Sequence, residues 1–290
     1  MDRKPTIAVL SGKGGTGKTL ISVNLAASMH KASYIDCDIE EPNGRLFLKS
    51  DSPTVEEITV EIPEVDPNLC DGCRICVDFC QFNALAYLKD HLKVFDDICH
   101  SCGGCFLLCP QKALQKKEKP IGVIESGYAQ GISVKTGVLN PGEATGIPII
   151  ESLLKSVDES DRTTIIDCPP GSACSVMESI KDADYCLLVT EPTRFGAHNL
   201  KMIHELVQLF GKPCSVIINK SLGEENPALD YCIQNNLAVM ETIPYDKELA
   251  KINSNGVIAY QTLDRYRQLF DKIGNQLLKE VSQHETTARS

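Results

Sequence analysis

Eight of the chain's 14 cysteines fall in two runs of identical spacing, Cys70, Cys73, Cys76, Cys80 and Cys99, Cys102, Cys105, Cys109. Each run reads C-x2-C-x2-C-x3-C, the spacing at which thiolates hold cubane iron–sulfur clusters. Shifting the segment by 29 residues superposes Cys70 on Cys99, Cys80 on Cys109, and Ala84-Leu85 on Ala113-Leu114. The segment is therefore an internal repeat of two halves, each too small to bury a core alone. In runs of this spacing the fourth cysteine ligates the other cluster. Cys70, Cys73 and Cys76 then belong with Cys109, and Cys99, Cys102 and Cys105 with Cys80. Such crossing makes metal binding and folding of the segment one event. Zinc or disulfides are the rival readings, although zinc sites usually present paired C-x2-C knuckles with long spacers. Pro110 follows the second run where Gln81 follows the first. Turn geometry and solvent access can differ there, so two clusters need not be equivalent.

The chain of 290 residues has room for a large domain and a small one. A net charge of −10 and the lack of a basic stripe argue against a nucleic-acid partner. No apolar run is long enough to span a bilayer, and Met1 to Pro5 lead into no signal-peptide core. Membrane attachment is not expected, and the reading is cytoplasmic. Clustered cysteines in a reducing compartment bind metal more often than they form disulfides.

Ile7 to Leu10 is a short apolar run that ends at Gly12-Lys13-Gly14-Gly15-Thr16-Gly17-Lys18-Thr19. A strand, a glycine-rich loop of this form and a helix make a phosphate cradle. The backbone of Gly12, Gly14, Gly15, Thr16 and Gly17 would face the phosphates. Lys18 would reach the outer phosphates and Thr19 would ligate Mg2+. Lys13 is a second lysine that a generic loop of this kind does not need.

The loop's helix is expected over 19–30, and a second strand at Ser33–Asp36 leads to an acidic turn through Asp38. After the cysteine segment, Ile121–Ile124 reads as a strand and Ile132–Leu139 as a strand or hairpin. Further strands are expected at Thr163–Asp167, Tyr185–Thr190, Ser215–Asn219 and Ala238–Ile243. Helical patterns fall near 149–157, 197–210, 227–236 and 263–277, and the polar residues 282–290 are expected to fray. Strands alternating with helices imply an α/β fold, a mostly parallel sheet with helices on both faces. The expected division is 1–59 and 120–290 for one nucleotide domain, with 60–119 inserted.

Taken together, these motifs resemble the MinD/Mrp/nitrogenase iron-protein superfamily of P-loop ATPases, and 60–119 resembles a bacterial two-cluster ferredoxin of α+β form. Lys13 to Thr19 is similar to the superfamily's deviant Walker A loop, Asp36-x-Asp38 to its switch I, and Asp167-Cys168-Pro169-Pro170-Gly171 to its Walker B and switch II. Asn219-Lys220 and Ile243-Pro244-Tyr245-Asp246 resemble its base-contacting segments. The resemblance implies a homodimer with ATP and Mg2+ at the interface and two 4Fe–4S clusters in the insert. It implies that Lys13 crosses to phosphates bound by the partner, while Lys18 and Thr19 act within the chain. It further implies that Asp38 handles the attacking water, Asp167 holds Mg2+ through water, the Gly171 N–H senses the γ-phosphate, and Asn219 and Pro244 flank the base.

Six cysteines lie outside the runs: Cys37, Cys168, Cys174, Cys186, Cys214 and Cys232. Cys174 matches a bridging-cluster ligand of the nitrogenase iron protein, but 125–137 offers no second one. Three functional classes follow: an ATPase that gates electron transfer to a redox partner, a cofactor-assembly or carrier ATPase, and a MinD-like spatial regulator. The mixed charge of the last helix, with no basic amphipathic face, speaks against the third.

Overall fold

The computed structural model describes residues 4–29, 31–155, 157, 162–223 and 225–288. Eleven strands occur among them: β1 Thr6–Leu10, β2 Ala32–Asp36, β3 Thr54–Val65, β4 Leu85–Leu88, β5 His91–Val94, β6 Leu114–Ala129, β7 Ile132–Leu139, β8 Thr163–Asp167, β9 Tyr185–Thr190, β10 Cys214–Ser221 and β11 Val239–Pro244. Nine of them form one sheet in the order β11-β10-β9-β1-β8-β2-β7-β6-β3. From β11 to β7 all pairs are parallel, while β6 and β3 close one edge antiparallel. The expected α/β class is the observed one.

Burial on both faces follows from alternation along the central strands. Ile7 and Val9 of β1 point into a core shared with the helix Lys18–Ser28 and the C-terminal helix. Ala8 and Leu10 point into the opposite core, shared with the helices Ile147–Lys155 and Arg194–Leu209. His30, expected at the end of the first helix, lies outside the described residues. The C-terminal helix runs Asp264–Ala288, well into the stretch expected to fray. Phe270, Ile273, Leu277 and Val281 recur at helical spacing and are buried, and the Tyr185 hydroxyl donates to Glu280. Residues 289 and 290 lie outside the described set. No helix among the described residues is long and apolar enough to cross a membrane.

The largest departure from the sequence reading lies at the antiparallel edge. The apolar run predicts a short strand at 121–124, whereas β6 runs 16 residues and pairs with β3 from Thr54↔Ser126 to Val65↔Leu114. The lysine run 116–119 is strand, and its charges are met on and off the ladder: Lys117 reaches Asp96 and Lys119 reaches Glu143. Lys116 Nζ lies 2.6 Å from Glu61 Oε2. The expected boundaries at 59/60 and 119/120 cut this ribbon close to its one register shift. There Ile58 and Thr59 pair with Gly122 and Pro120, leaving Ile121 as a bulge.

The ribbon has a direction. Gly122 pairs with Leu139, the last residue of β7, and Ala129 pairs with Ile132, its first. Since β7 is parallel to β2 and β8, residues 114–121 overrun the sheet at the carboxyl ends of the parallel strands. This overrun of about eight residues spans roughly 25 Å. Residues 66–113 are thus carried beyond the edge at which Asp36 and Asp167 end their strands.

Within 66–113 the two halves repeat structurally. The helices Ile75–Phe79 and Gly104–Leu108 stand 29 residues apart. So do three pairs of positive-φ residues: Gly72 and Ser101, Arg74 and Gly103, Asn83 and Lys112. Between the halves β4 and β5 form a hairpin whose turn residues Lys89 and Asp90 both have positive φ. The hydrophobic cluster here is built on Cys76, Leu85, Cys105 and Leu114, with Ala84 and Ala113 also buried, too small for stability without a cross-link.

Candidate functional site

The carboxyl ends of β1, β2 and β8 converge on a cavity of about 1000 Å³. The glycine-rich loop follows β1 and wraps its mouth. Gly17 has φ +97 and precedes the helix Lys18–Ser28. An added Cβ there would run into the Asn219 amide, so the Gly17→Ala variant is expected to lose nucleotide binding while its helices stay intact by circular dichroism. Gly14, Gly15, Gly17, Lys18 and Thr19 line the cavity, as do Asp38, Asn219 and Pro244. Gly12, Lys13, Thr16, Asp167 and Gly171 do not.

Asp167 is fully buried and is the hub of the site. Lys18 Nζ lies 2.5 Å from its Oδ1, and Ser22 Oγ donates to the same oxygen at 3.1 Å. Tyr34 Oη donates to Oδ2 at 2.8 Å. Burial alone would lower the Lys18 pKa, but Asp167, with Asp38 and Asp36 behind it, outweighs burial and holds the ammonium charged. Burial, followed by the Asp167 charge, drives the Tyr34 hydroxyl well above its ordinary value, so it remains a donor. Sequence reasoning missed Ser22 and Tyr34; a serine inside a helix and a tyrosine inside a strand carry no motif. Both oxygens of the carboxylate expected to serve Mg2+ are engaged within the chain.

Asp36 builds the acidic turn. Its Oδ1 accepts from Asp38 N–H at 3.1 Å and its Oδ2 from Gly44 N–H at 2.9 Å. Asp38 stands 3.7 Å from Lys18 Nζ with 17% of its side chain exposed. Burial raises its carboxyl to about 6, against Lys18, which lowers it, with Asp167 raising it further. A raised folded-state value means that stability is greatest below the ordinary carboxylate range, about pH 4, and is lost as pH rises through 6. Asp38→Asn is therefore expected to stabilise the nucleotide-free protein above pH 6 by about 1–2 kcal/mol after allowing for screening, and to be neutral near pH 4. Urea denaturation at the two pH values checks this; equal effects at both would remove the electrostatic explanation.

Three expected contacts are arranged differently. The Asn219 side chain donates to Thr16 O at 2.8 Å and so braces the loop from β10. The Gly171 N–H is taken by Ser11 O at 2.8 Å, because the segment after β8 continues its pairing with the strand end of β1. Lys13 turns back on its own chain, 2.6 Å from Glu191 Oε2 and over the Phe195 ring. Glu191 Oε1 takes Lys220 at 2.9 Å. Burial would raise Glu191, but the hydrogen bonds from Lys13 and Lys220 bring it below its ordinary value. Glu191 has no sequence signal; only the meeting of β9 and β10 beside the loop reveals it.

The eight cysteines of the two runs line two further cavities. One is bounded by Cys70, Cys73, Cys76 and Cys109, the other by Cys80, Cys99, Cys102 and Cys105. Each fourth cysteine stands with the other run. Cys80 and Cys109 Sγ each accept a backbone N–H, from Ala84 and Ala113, at 3.3 Å. Burial, then Cys99 and Cys102, pushes the Cys105 thiol up to about 11. Burial also raises the Cys76 and Cys99 thiols, and a metal cluster would supply the cationic core that ionises such groups. Among the described residues no three His, Cys, Asp or Glu side chains group to hold a single metal ion. Four thiols spread around a cavity, with N–H donors and left-handed turns repeated in each half, fit a cubane. The surroundings differ: Phe79, Phe82 and Phe106 flank the second cavity, and Asp71, Arg74 and Tyr87 the first. Outside the runs, Cys37, Cys168, Cys186 and Cys232 are buried, Cys214 is half-buried and Cys174 is exposed.

Comparison with known proteins places this geometry. Residues 7–258 match the CobQ/CobB/MinD/ParA nucleotide binding domain. An uncharacterized protein of Methanocaldococcus jannaschii is 30% identical over 276 residues, covering 92% of this chain and 95% of its own. An iron-sulfur cluster carrier protein of Pyrococcus horikoshii is 46% identical over 56 residues, only 18% of this chain and 19% of its own. The fold is similar to that of the septum site-determining protein MinD of Pyrococcus horikoshii complexed with Mg-ADP, with a TM-score of 0.60 at 16% identity, covering 94% of this chain and 96% of that one.

Proposed function

Because this chain belongs to the CobQ/CobB/MinD/ParA nucleotide-binding family, we propose that it is an ATP-hydrolysing homodimer whose nucleotide-driven rearrangement alters electron transfer through two 4Fe–4S clusters in a module inserted near residues 60–119. One observation carries this reading. The exchanged four-thiol cavities ride on a ribbon that leaves the sheet at its nucleotide edge.

At the nucleotide site the chain's own residues bind and position. The loop N–H groups of Gly14 to Thr19 receive phosphate oxygens, and Lys18 stabilises the charge that accumulates on the outer phosphates. Thr19 and the Asp167 hub are the residues that would hold Mg2+ with ATP. Asp38, at the cavity wall beside Lys18, is placed to orient a water. Its raised pKa gives hydrolysis an acidic limb near pH 6. Lys13 must leave Glu191 to serve a partner's phosphates, and Gly171 must leave Ser11 to meet a γ-phosphate. Both residues would therefore mark the difference between the open and the closed dimer. Asn219 and Pro244 line the cavity and would flank the base. When bound, the clusters supply one-electron transfer at low potential. Cys70, Cys73, Cys76 and Cys109 would hold one, and Cys80, Cys99, Cys102 and Cys105 the other.

A second reading, a cluster-carrier ATPase, is favoured by the short match to carrier proteins. Complete four-thiol ligation disfavours it, since a fully held cluster is a poor cargo. Anaerobic reduction followed by EPR, with and without ATP and magnesium, separates the two. Gated electron transfer predicts altered spectra or potentials on adding ATP. Unchanged clusters, with iron passing readily to an apo-acceptor, would favour the carrier. Normal ATP hydrolysis by Lys13→Ala would remove the cross-subunit role of that lysine.

A further inference from the structure

We infer that Lys119 is the positioning residue through which the acidic turn of the nucleotide site holds the thiol-bearing module. The inference rests on the coupled function just proposed and names the contact that coupling would use.

The turn is locked to β7. Ile39, directly after Asp38, is buried, and its carbonyl accepts the Leu139 N–H at 2.9 Å. Its side chain occupies a notch that exists only because positions 137 and 146 are glycine; a Cβ at either would collide with it. A displacement of the turn must therefore carry the end of β7 and the loop 140–146 with it. That loop is tied in turn to the ribbon, since Asn140 N–H donates to the carbonyl of the bulged residue Ile121 at 2.9 Å.

Lys119 stands two residues before the bulge and joins the loop to the module. Its Nζ donates to Glu143 Oε2 at 2.8 Å and to the Asp96 carbonyl at 3.0 Å, with Asp97 Oδ1 at 3.8 Å. The Asp96 carbonyl also receives the Cys99 N–H at 3.4 Å. The ammonium thus bridges a loop of the nucleotide domain and the turn that presents the first thiol of the second run. Lys119 and Glu143 are 16% and 13% exposed, so this is a sheltered, charge-assisted contact rather than a screened surface pair. Along the bridge, Asp38, Ile39, Leu139, Glu143, Lys119 and Asp96 are joined by chain continuity, packing or hydrogen bonds.

The test uses the anaerobically prepared full chain with both clusters and compares wild type, Lys119→Met, Lys119→Arg and Glu143→Gln. Amide hydrogen exchange at Ile98 and Cys99 is followed with and without ATP and magnesium, beside steady-state ATP hydrolysis and iron content. Wild type is expected to change its exchange there roughly 5-fold or more on ATP binding. The change should shrink to within about twofold in Lys119→Met and in Glu143→Gln, and persist in Lys119→Arg, with hydrolysis and iron unchanged. Glu143→Gln leaves every residue of the module intact, so it separates lost positioning from a misfolded module. A full wild-type response in Lys119→Met and Glu143→Gln overturns the inference and leaves the coupled function standing. No ATP response in wild type overturns the coupled function, and the inference with it.

Discussion

Cys109→Ala is expected to empty the cluster of the first run, although Cys109 belongs to the second. Its thiol lines the cavity of Cys70, Cys73 and Cys76, and the Ala113 N–H that it accepts would lose its acceptor. Iron and sulfide should fall by about half, and the surviving EPR signal should be that of the cluster held by Cys99, Cys102, Cys105 and Cys80. Cys80→Ala should show the complementary loss. Double labelling separates this from a simple pairing by run: in Cys109→Ala, Cys70, Cys73 and Cys76 should become alkylatable while Cys99, Cys102 and Cys105 stay protected. Protection in the opposite pattern would mean that each run holds its own cluster. The effect on stability should stay local. The module's buried core is small, so the half that loses its cluster should loosen while the remaining cluster still ties Cys80 to the second run. The nucleotide domain keeps its two cores and should melt as before.

Asp167→Ala should abolish ATP hydrolysis and destabilise the protein by about 3–5 kcal/mol. The substitution removes the acceptor of the Tyr34 hydroxyl and the near partner of the Lys18 ammonium, which keeps only Asp38 at 3.7 Å, while Ser22 Oγ retains the Lys18 carbonyl at 2.9 Å. The weakened charge pairing dominates, because Lys18 is only 6% exposed and Asp38, at 3.7 Å, is a poorer partner than Asp167 at 2.5 Å. Removing both members of the ion pair, as in Lys18→Met with Asp167→Leu, should recover much of the stability but none of the activity. Hydrolysis in the single variant should fall by at least about 100-fold, since phosphate positioning and charge stabilisation are lost together. Denaturant titrations of the single and double variants decide the matter. A loss below about 1 kcal/mol in Asp167→Ala would show that the buried pair is not the hub of the site.

Motifs with short spacing are legible in the amino-acid order alone. The loop from Gly12 to Thr19 needs glycines at set positions for a steric reason, and the cysteine runs need theirs to reach the corners of a cluster. Buried parallel strands such as Thr163–Asp167 announce themselves as short β-branched runs, and the expected limits of that strand are the observed ones. The ribbon of β3 and β6 is not legible in full, because both strands are rich in charge and a pair such as Lys116 and Glu61 forms only when the two lie side by side. The helix through Ala288 extends because Val281 and Glu280 find partners on distant elements, which local polarity does not reveal.

Local sequence specified which chemistry the chain can carry, because phosphate cradles and thiol loops are made from neighbours a few residues apart. Tertiary packing decided where those chemistries stand and what holds them: Asp167 with Ser22 and Tyr34, Lys13 with Glu191, and Lys119 between Glu143 and Asp96. Those partners lie up to 178 residues apart, as Lys13 and Glu191 do. A side chain's charge is visible in the sequence, but the group that will oppose it is chosen by the crossing of strands.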